Sequence, residues 1–201
     1  LILNLPVEKI GTEMHELLTM ANRTTEDVFS LLDNLLKWTK SQIGNLNVVY
    51  QDIDAVEVMD SVIDVFNMIA GLKKITIREE KPEKLPVCAD IDMLKTVIRN
   101  LLSNAIKFSN ENSEVLVKME EQGDMVVVSV KDNGCGIDEE GQKKLLHTDT
   151  HFSTFGTNNE EGSGLGLLLC QDFVVKNGGK LWFTSKQGEG STFYFSIPLK
   201  K

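Results

Sequence analysis

The segment from Pro6 to about Gly44 constrains the fold most strongly, because it can form little other than one long helix. It contains no further proline and a single glycine, Gly11. Apolar residues recur at alternating steps of four and three, with Thr24 in the one polar position, which is typical of a helix in a coiled coil or bundle. The stripe comprises Ile10, Met14, Leu17, Ala21, Val28, Leu31, Leu35 and Trp38.

This stripe is too wide and too apolar to remain exposed. Leu18, Leu32 and Leu36 extend it beyond a two-stranded seam, so a four-helix bundle is favoured over a simple zipper. We expect a homodimer through this helix, or docking on a further helix. The alternative is a helix that folds back on its own globular domain.

A change of sequence pattern after Gly44 and Asn45 predicts a domain boundary. Residues 1–45 are expected to form the dimerisation helix, and residues 46–201 an α/β domain. Its β-branched runs predict strands at 47–52, 75–79, 87–89, 114–120, 125–131, 180–184 and 192–197. Helical periodicity predicts helices at 56–72, 90–108, 138–146 and 164–177, and Asp90 is expected to cap the second of them. The expected architecture is a mixed sheet with helices on one face, and the polar segment 147–162 is expected to be a lid.

Charge and composition exclude several functional classes. The net charge is −9 and no basic patch offsets it, so binding to nucleic acid is not expected. Cys88, Cys135 and Cys170 lie far apart without CxxC spacing, which argues against a disulfide scaffold or a zinc site. No apolar run approaches the roughly 20 residues of a bilayer span. We therefore expect a cytoplasmic domain that is not itself embedded in a membrane, whether or not a longer parent protein is anchored.

Three polar side chains share one face of the predicted helix at 90–108. Asn100, Asn104 and Lys107 are spaced i, i+4, i+7, opposite an apolar arc. Two carboxamides and an ammonium in this arrangement can hold Mg²⁺ and phosphate oxygens together. The alternative is an ordinary solvated face of an amphipathic helix.

Two glycine-rich turns carry further chemistry. Asp132-Asn133-Gly134-Cys135-Gly136-Ile137 follows an apolar strand, so a carboxylate could accept the amino proton of a purine beside a bare backbone. Gly162-Ser163-Gly164-Leu165-Gly166-Leu167 opens a helix whose amides suit phosphate. It lacks the preceding strand of a dinucleotide fingerprint and the Lys-Ser/Thr of a Walker loop.

Together these segments resemble the ordered boxes of sensor histidine kinases of two-component systems. Arg99 to Phe108 resembles the N box, Asp132 to Ile137 the G1 box, Phe152 to Phe155 a short F box, Gly162 to Leu167 the G2 box, and Gly188 to Ser191 the G3 turn. Leu31 to Thr39 resembles the end of the second dimerisation helix of that family.

The resemblance implies a two-layer α/β sandwich, the Bergerat-type ATP-binding fold, with ATP and Mg²⁺ bound between the N-box helix and the lid. It implies Asn100 on Mg²⁺, Asn104 and Lys107 on the phosphates, Phe108 near the base, Asp132 on the adenine amino group, Gly134 and Gly136 beside the adenine, and Gly162, Gly164 and Gly166 around the phosphates. Ile137, Phe152, Phe155, Ser163, Leu165 and Thr192 complete the expected nucleotide contacts. Asn100 and Lys107 are the expected catalytic residues, and a response-regulator receiver domain is the expected partner.

The chain departs from the family pattern at the phosphoacceptor. His15 is the only candidate, but no Pro follows it at the usual distance and too little helix separates it from Trp38 for a helical hairpin. We expect the acceptor on a helix before Leu1. His147 and His151 are expected to be polar loop residues rather than a metal pair.

Related ATPases of the same fold use a Glu where this chain has Asn100, and a carboxamide cannot take a proton from an attacking water. This favours a protein histidine kinase. A hydrolase, or a non-catalytic ATP-binding scaffold module, is the alternative.

Overall fold

The structure of the chain, a computed structural model, describes residues 11–43, 47–145, 157 and 164–200. It forms two compact units, of which the first ends at Asn45 and the second begins at Leu46. In the first unit, helix α1 spans Thr12–Gln42. Its exposed apolar side chains are those of Met14, Leu17, Met20, Val28, Phe29, Leu32, Leu35 and Leu36. The side chains of His15, Thr24 and Leu31 lie outside the described part.

The second unit alternates strands and helices. The strands are β1 (Gln51–Asp54), β2 (Thr76–Glu80), β3 (Pro86–Ala89), β4 (Glu114–Gln122), β5 (Met125–Lys131), β6 (Leu181–Lys186) and β7 (Gly190–Pro198). The helices are α2 (Ala55–Leu72), α3 (Ile91–Phe108), α4 (Glu139–Lys144) and α5 (Gly166–Lys176).

Five strands form a mixed sheet in the order β2-β4-β5-β7-β6. Only β2 and β4 pair in parallel, and the other neighbours are antiparallel. Helices α2, α3 and α5 pack against this sheet, with α3 in contact with both of the others. The predicted α/β fold with helices against a mixed sheet is confirmed.

The core lies between the helices and the sheet. The apolar arc predicted for α3 is buried, and α3 contacts β5 in the middle of the sheet. This core includes Leu94, Ile98, Leu101, Leu102 and Ala105 from α3 and Val117, Val128 and Phe195 from the strands. The opposite face of α3 is therefore left for the polar residues of the site.

Aspartates fix the starts of the two long helices. The Asp54 carboxylate accepts a hydrogen bond from the Val56 amide at 3.0 Å, and Asp90 accepts from the amides of Asp92 and Met93 at 3.0 Å each. A side-chain oxygen that accepts these amides stabilises a helix by about 1 kcal/mol. The predicted Asp90 cap is confirmed. The Asn177 side chain then ties the end of α5 to this cap, accepting from the Asp90 amide at 2.8 Å.

The first predicted strand was misplaced. Residues 47–50 are not in a strand, and β1 instead covers Gln51–Asp54. It pairs only with the short strand β3, in a separate two-stranded sheet. The Val49 amide does not enter a ladder, because it donates to the Asp90 carboxylate at 2.9 Å. The other predicted strands and helices of this unit are present with ends shifted by one or two residues, and the predicted lid at 147–162 lies outside the described residues apart from Thr157.

Among the residues that the structure describes, no helix has both the length and the hydropathy that crossing a membrane requires.

Candidate functional site

Asp132 lies at the end of β5 and is almost fully buried, with 3% of its surface exposed. Its Oδ1 accepts hydrogen bonds from the amides of Gly134 at 2.9 Å and Ser191 at 3.1 Å. Its own amide donates to the Ser191 carbonyl at 2.9 Å. The carboxylate thus joins the turn after β5 to the start of β7, and the backbone fixes its orientation.

The electrostatic state of Asp132 reflects this burial. Desolvation raises the pKa of its carboxyl above the usual 3.8, against the opposing effect of the amides of Gly134 and Ser191. Both hydrogen bonds go to Oδ1, and no described residue donates to Oδ2. A buried acceptor of this kind is suited to a donor on a ligand, such as an amino group.

Two glycines in the same turn allow the backbone to pack closely. A Cβ on Gly134 would lie 2.1 Å from the Phe108 carbonyl oxygen, and one on Gly136 would lie 2.0 Å from the Lys186 carbonyl oxygen. Gly136 also has a φ of 63°, which disfavours other residues. The structure therefore brings the end of α3 and the β6–β7 turn against this segment, and only glycine fits at either position.

Ser185, which the sequence did not predict, and Ser191, predicted only as the end of the G3 turn, also lie at this segment. The Ser185 hydroxyl accepts from the Ile137 amide at 2.9 Å and lies 2.9 Å from the Ser191 hydroxyl. Thr192, the residue predicted here, pairs with Lys131 and Thr184, so it lies on the other face of the sheet from Ser191. The residue of β7 that contacts Asp132 is Ser191, and the alternation of a strand could have indicated it.

Asn100 occupies the middle of the polar face of α3. Its Nδ2 donates to the Thr96 carbonyl at 2.9 Å, which fixes the orientation of the amide. Its Oδ1 faces the first residue of α5, since a Cβ on Gly166 would lie 2.7 Å from it. The N-box helix and the G2 turn are therefore in direct contact, with an amide oxygen directed at a bare backbone.

Among the described residues, no side chain caps the start of α5. Gly164 has a φ of 69°. Leu165, the residue before the helix, has no side-chain oxygen that could accept a hydrogen bond from the first amides of α5. The first amides of a helix lack intrahelical partners and carry a partial positive charge. An anion near Gly166 would satisfy them.

The remaining predicted residues of α3 lie beside these. Asn104, Lys107 and Phe108 are half-buried, and the Lys107 ammonium lies 5.1 Å from the centroid of the Phe108 ring. Asn104 and Lys107 follow Asn100 by one and two helical turns, so the three share a face that begins at the G2 turn. Each is thus placed to contact a ligand that extends from Asp132 to Gly166.

Phe152, Phe155, Gly162 and Ser163 lie outside the described residues, as do His147 and His151. Within the described ranges no group of three His, Cys, Asp or Glu could hold a metal ion. The donor that fits Mg²⁺ here is the Asn100 Oδ1, since Mg²⁺ takes few protein oxygens and completes its shell with water and phosphate.

A family model described as histidine kinase-, DNA gyrase B- and HSP90-like ATPase matches residues 89–201, more than half of the chain. The chain belongs to this family. Domains of this ATPase family bind ATP, and the match includes the N, G1, G2 and G3 segments whose geometry is described above. The predicted resemblance to the ATP-binding catalytic domain of sensor histidine kinases is confirmed.

Within this ATPase family, the chain is similar to proteins that are named as histidine kinases. The chain is 32% identical over 171 residues to the adaptive-response sensory kinase SasA of Rippkaea orientalis. This alignment covers 84% of the chain and 43% of SasA. It thus spans less than half the length of this relative. The catalytic domain of histidine kinase ThkA matches with a TM-score of 0.65 at 31% identity, over 75% of this chain and 96% of that one. ThkA in complex with the response regulator TrrA matches with a TM-score of 0.75 at 25% identity, over 94% of this chain and 52% of that one.

Proposed function

We propose that this chain is the ATP-binding and catalytic part of a protein histidine kinase of a two-component system. The observation that carries the proposal is the contact between Asn100 and Gly166, because it joins an oxygen ligand for a metal to the amides of a phosphate-binding turn. The site residues of the sequence analysis are proposed as the nucleotide contacts, with Ser191 in the place given to Thr192.

The adenine is proposed to bind beside the G1 turn. Asp132 Oδ2 would accept a proton of the exocyclic amino group, while Gly134, Gly136 and Ile137 border the ring. Phe108, together with Phe152 and Phe155, would supply apolar contact. The hydrogen bonds of Asp132 Oδ1 to two backbone amides support this assignment, since they leave the other oxygen oriented for a ligand.

The triphosphate is proposed to lie along α3 toward α5. Asn104 and Lys107 would bind its oxygens, and the amides of the turn from Gly162 to Gly166 would surround its end. Asn100 Oδ1 would hold Mg²⁺ there. When bound, Mg²⁺ would neutralise charge on the phosphate oxygens. Positioning and charge neutralisation are the main requirements of phosphoryl transfer.

The reaction is proposed to transfer the γ-phosphoryl group to a histidine. The neutral imidazole nitrogen is already nucleophilic, so it forms the bond to phosphorus as the bond to the bridging oxygen breaks and ADP leaves. We propose that the acceptor lies on a helix outside residues 1–201 rather than at His15. Support comes from the missing Pro after His15 and from SasA, which is more than twice as long as the matched region.

The choice between kinase and hydrolase depends on Asn100. Its Nδ2 donates to the Thr96 carbonyl, so its Oδ1 is available as a metal ligand but neither atom is a base for water. A scaffold module that binds ATP without turnover is the second alternative, and only a transfer assay separates it from a kinase.

The experiment that tests the proposal compares the 201-residue chain with its full-length parent. The chain should bind Mg·ATP in calorimetry but gain no acid-labile label from γ-labelled ATP. The parent should gain acid-labile label on a histidine. Label on His15 of the chain would contradict the assignment of the acceptor, and release of free phosphate without protein label would favour the hydrolase.

We further propose a homodimer through α1. Val28 and Leu35 belong to the predicted seam and are 52% and 41% exposed in the single chain, so each is available to a second copy. Replacing both with Glu would place like charges in the seam and should yield a monomer in light scattering with unchanged ATP affinity. Lys40→Glu, at an exposed position outside the stripe, is the control and should stay dimeric.

A response-regulator receiver domain is the proposed recipient of the phosphoryl group. Support for this recipient comes from ThkA, whose structure in complex with the response regulator TrrA matches 94% of this chain. The proposed location is the cytoplasm. Transfer from the phosphorylated parent to a receiver aspartate, followed with the same label, tests the relay.

A further inference from the structure

We infer that Lys73 is a positioning residue for the nucleotide site, acting through the last turn of α3 and through Thr157. The inference rests on the proposed function, because it assigns a role in ATP binding. Lys73 follows α2 and is not part of any of the nucleotide-binding motifs. Its side chain nevertheless ends at the helix that carries the proposed phosphate ligands.

The Lys73 ammonium binds the carboxyl end of α3. Lys73 is buried, with 7% of its surface exposed, and its Nζ donates to the carbonyls of Ile106 at 3.1 Å and Lys107 at 2.9 Å. The last carbonyls of a helix have no intrahelical partner and carry a partial negative charge, which a cation satisfies. Lys73 therefore holds the turn from which the Lys107 and Phe108 side chains project.

The same ammonium also binds Thr157, which lies between α4 and α5 in sequence. Lys73 Nζ donates to the Thr157 hydroxyl at 2.6 Å, and this hydroxyl can donate to the Ser109 carbonyl at 2.8 Å. The Thr157 amide donates to the Lys107 carbonyl at 3.2 Å. Thr157 is thereby attached to the end of α3 by its backbone and by its side chain.

This arrangement affects the phosphate contacts more than the adenine contacts. The Lys107 carbonyl accepts from both Lys73 and Thr157, so the backbone that sets the direction of the Lys107 side chain is held on two sides. Asp132, in contrast, accepts its hydrogen bonds from the amides of Gly134 and Ser191 and none from Lys73. Among the proposed adenine contacts, Phe108 is the one that projects from the turn that Lys73 holds. Loss of the ammonium should therefore weaken the binding of the phosphates selectively.

Lys73→Met tests the inference, because it keeps the length of the stem and removes all three donors. We expect the affinity for ATP to fall about tenfold while the affinity for adenosine, measured by displacement, changes less than about twofold. Lys74→Met is the matched control, since Lys74 is adjacent and exposed, and it should leave both affinities unchanged. Circular dichroism without nucleotide checks that both variants are folded.

Thr157 gives a second test that does not depend on a buried position. Thr157→Val removes the hydroxyl and keeps the amide contact, and it should also weaken ATP more than adenosine. Thr157→Ser should restore the wild-type affinity. In the double variant Lys73→Met with Thr157→Val, the loss should be smaller than the product of the single losses, because both act on one contact.

The outcomes separate the inference from the proposed function. A wild-type chain that binds no ATP would contradict the proposed function and the inference together. A wild-type chain that binds ATP, with Lys73→Met equal to Lys74→Met or weakened equally toward ATP and adenosine, would overturn the inference alone. If Lys73→Met does not fold, a Thr157→Val variant with wild-type ATP affinity overturns it.

Discussion

The two ends of the candidate nucleotide site are built differently. At the adenine end, Asp132 is buried and held by two backbone amides, and Gly134 lies directly against the Phe108 carbonyl. At the phosphate end, Asn100 and Lys107 are half-buried side chains on a helix face, beside the amides at the start of α5.

If the proposed function holds, the buried end recognises the base and the half-buried helix face binds the phosphates. The adenine end has its acceptor oriented before any ligand arrives, so it can discriminate between bases at little cost in ordering. The phosphate end uses long or polar side chains, which can adjust their positions to the negative charge of the phosphate oxygens. Variants at the two ends should accordingly differ in which ligand they affect.

The largest effect is expected from Asp132→Asn, which should weaken ATP binding roughly 10- to 100-fold in calorimetry. The Asn amide would present a donor to the adenine amino group while its oxygen still accepts from Gly134 and Ser191. At neutral pH the nucleotide-free thermal midpoint should therefore be at least that of the wild type. GTP, which has a carbonyl in place of the amino group, should bind the wild type poorly, and equal affinities for ATP and GTP would contradict the role of Asp132.

Gly166→Ala should act at the phosphate end, with a loss of about tenfold in ATP affinity when Mg²⁺ is present and a smaller loss without it. The added Cβ would lie 2.7 Å from Asn100 Oδ1 and displace it. Because alanine is the better helix former, the nucleotide-free domain should be at least as stable. Gly71→Ala, where nothing lies within 4 Å of the added Cβ, is the control. An equal loss with and without Mg²⁺ would remove Asn100 from the metal site.

A smaller effect is expected at the start of β7. Ser191→Ala removes the hydroxyl that contacts Ser185 and should lower ATP affinity by about threefold. Thr192→Val, on the other face of the sheet, should have no measurable effect. The reverse result in the same titration would restore Thr192 to the site.

The smallest effect concerns pH. Because burial raises the pKa of Asp132 in the folded state, the folded protein binds the proton more tightly than the unfolded chain. The stability that this proton contributes is full below the usual pKa of 3.8 and is lost as pH rises through the raised folded value. Without nucleotide, the free energy of unfolding of the wild type should thus decrease relative to Asp132→Asn over this interval. If urea unfolding gives the same difference in the free energy of unfolding between the two proteins at every pH, this role of the Asp132 proton is contradicted.

Local signals in the sequence predicted the framework of the site. The Asp90 cap and the apolar arc of α3 are properties of neighbouring residues, so both ends of that helix and the shared face of Asn100 and Lys107 followed directly. The two glycine-rich turns could also be predicted, because glycines separated by one residue indicate that another backbone segment or a ligand approaches closely.

Features that depend on distant pairing could not be predicted in this way. Strand β1 was misplaced because its length is set by the four-residue partner β3, while β-branched residues already begin at Val48. Nothing in the local pattern around Lys73 indicates burial, because its partners at the end of α3 come from a different part of the chain. The pairing of β7 shows that Ser191 and Thr192 lie on opposite faces of the sheet, which the local sequence alone did not indicate.

The contact between Asn177 and Asp90 gives helices α3 and α5 a common starting point, so the lengths of the two helices decide which of their residues meet at the site. They run antiparallel from this shared point, since Asn177 ends α5 and Asp90 begins α3. Asn100 lies ten residues along one helix and Gly166 eleven residues along the other, which at the helical rise is about 15 to 17 Å in each case. Asn100, the proposed metal ligand, and Gly166, in the proposed phosphate-binding turn, meet because the two lengths agree. One residue inserted into either helix would turn its end of the site by about 100° and separate them.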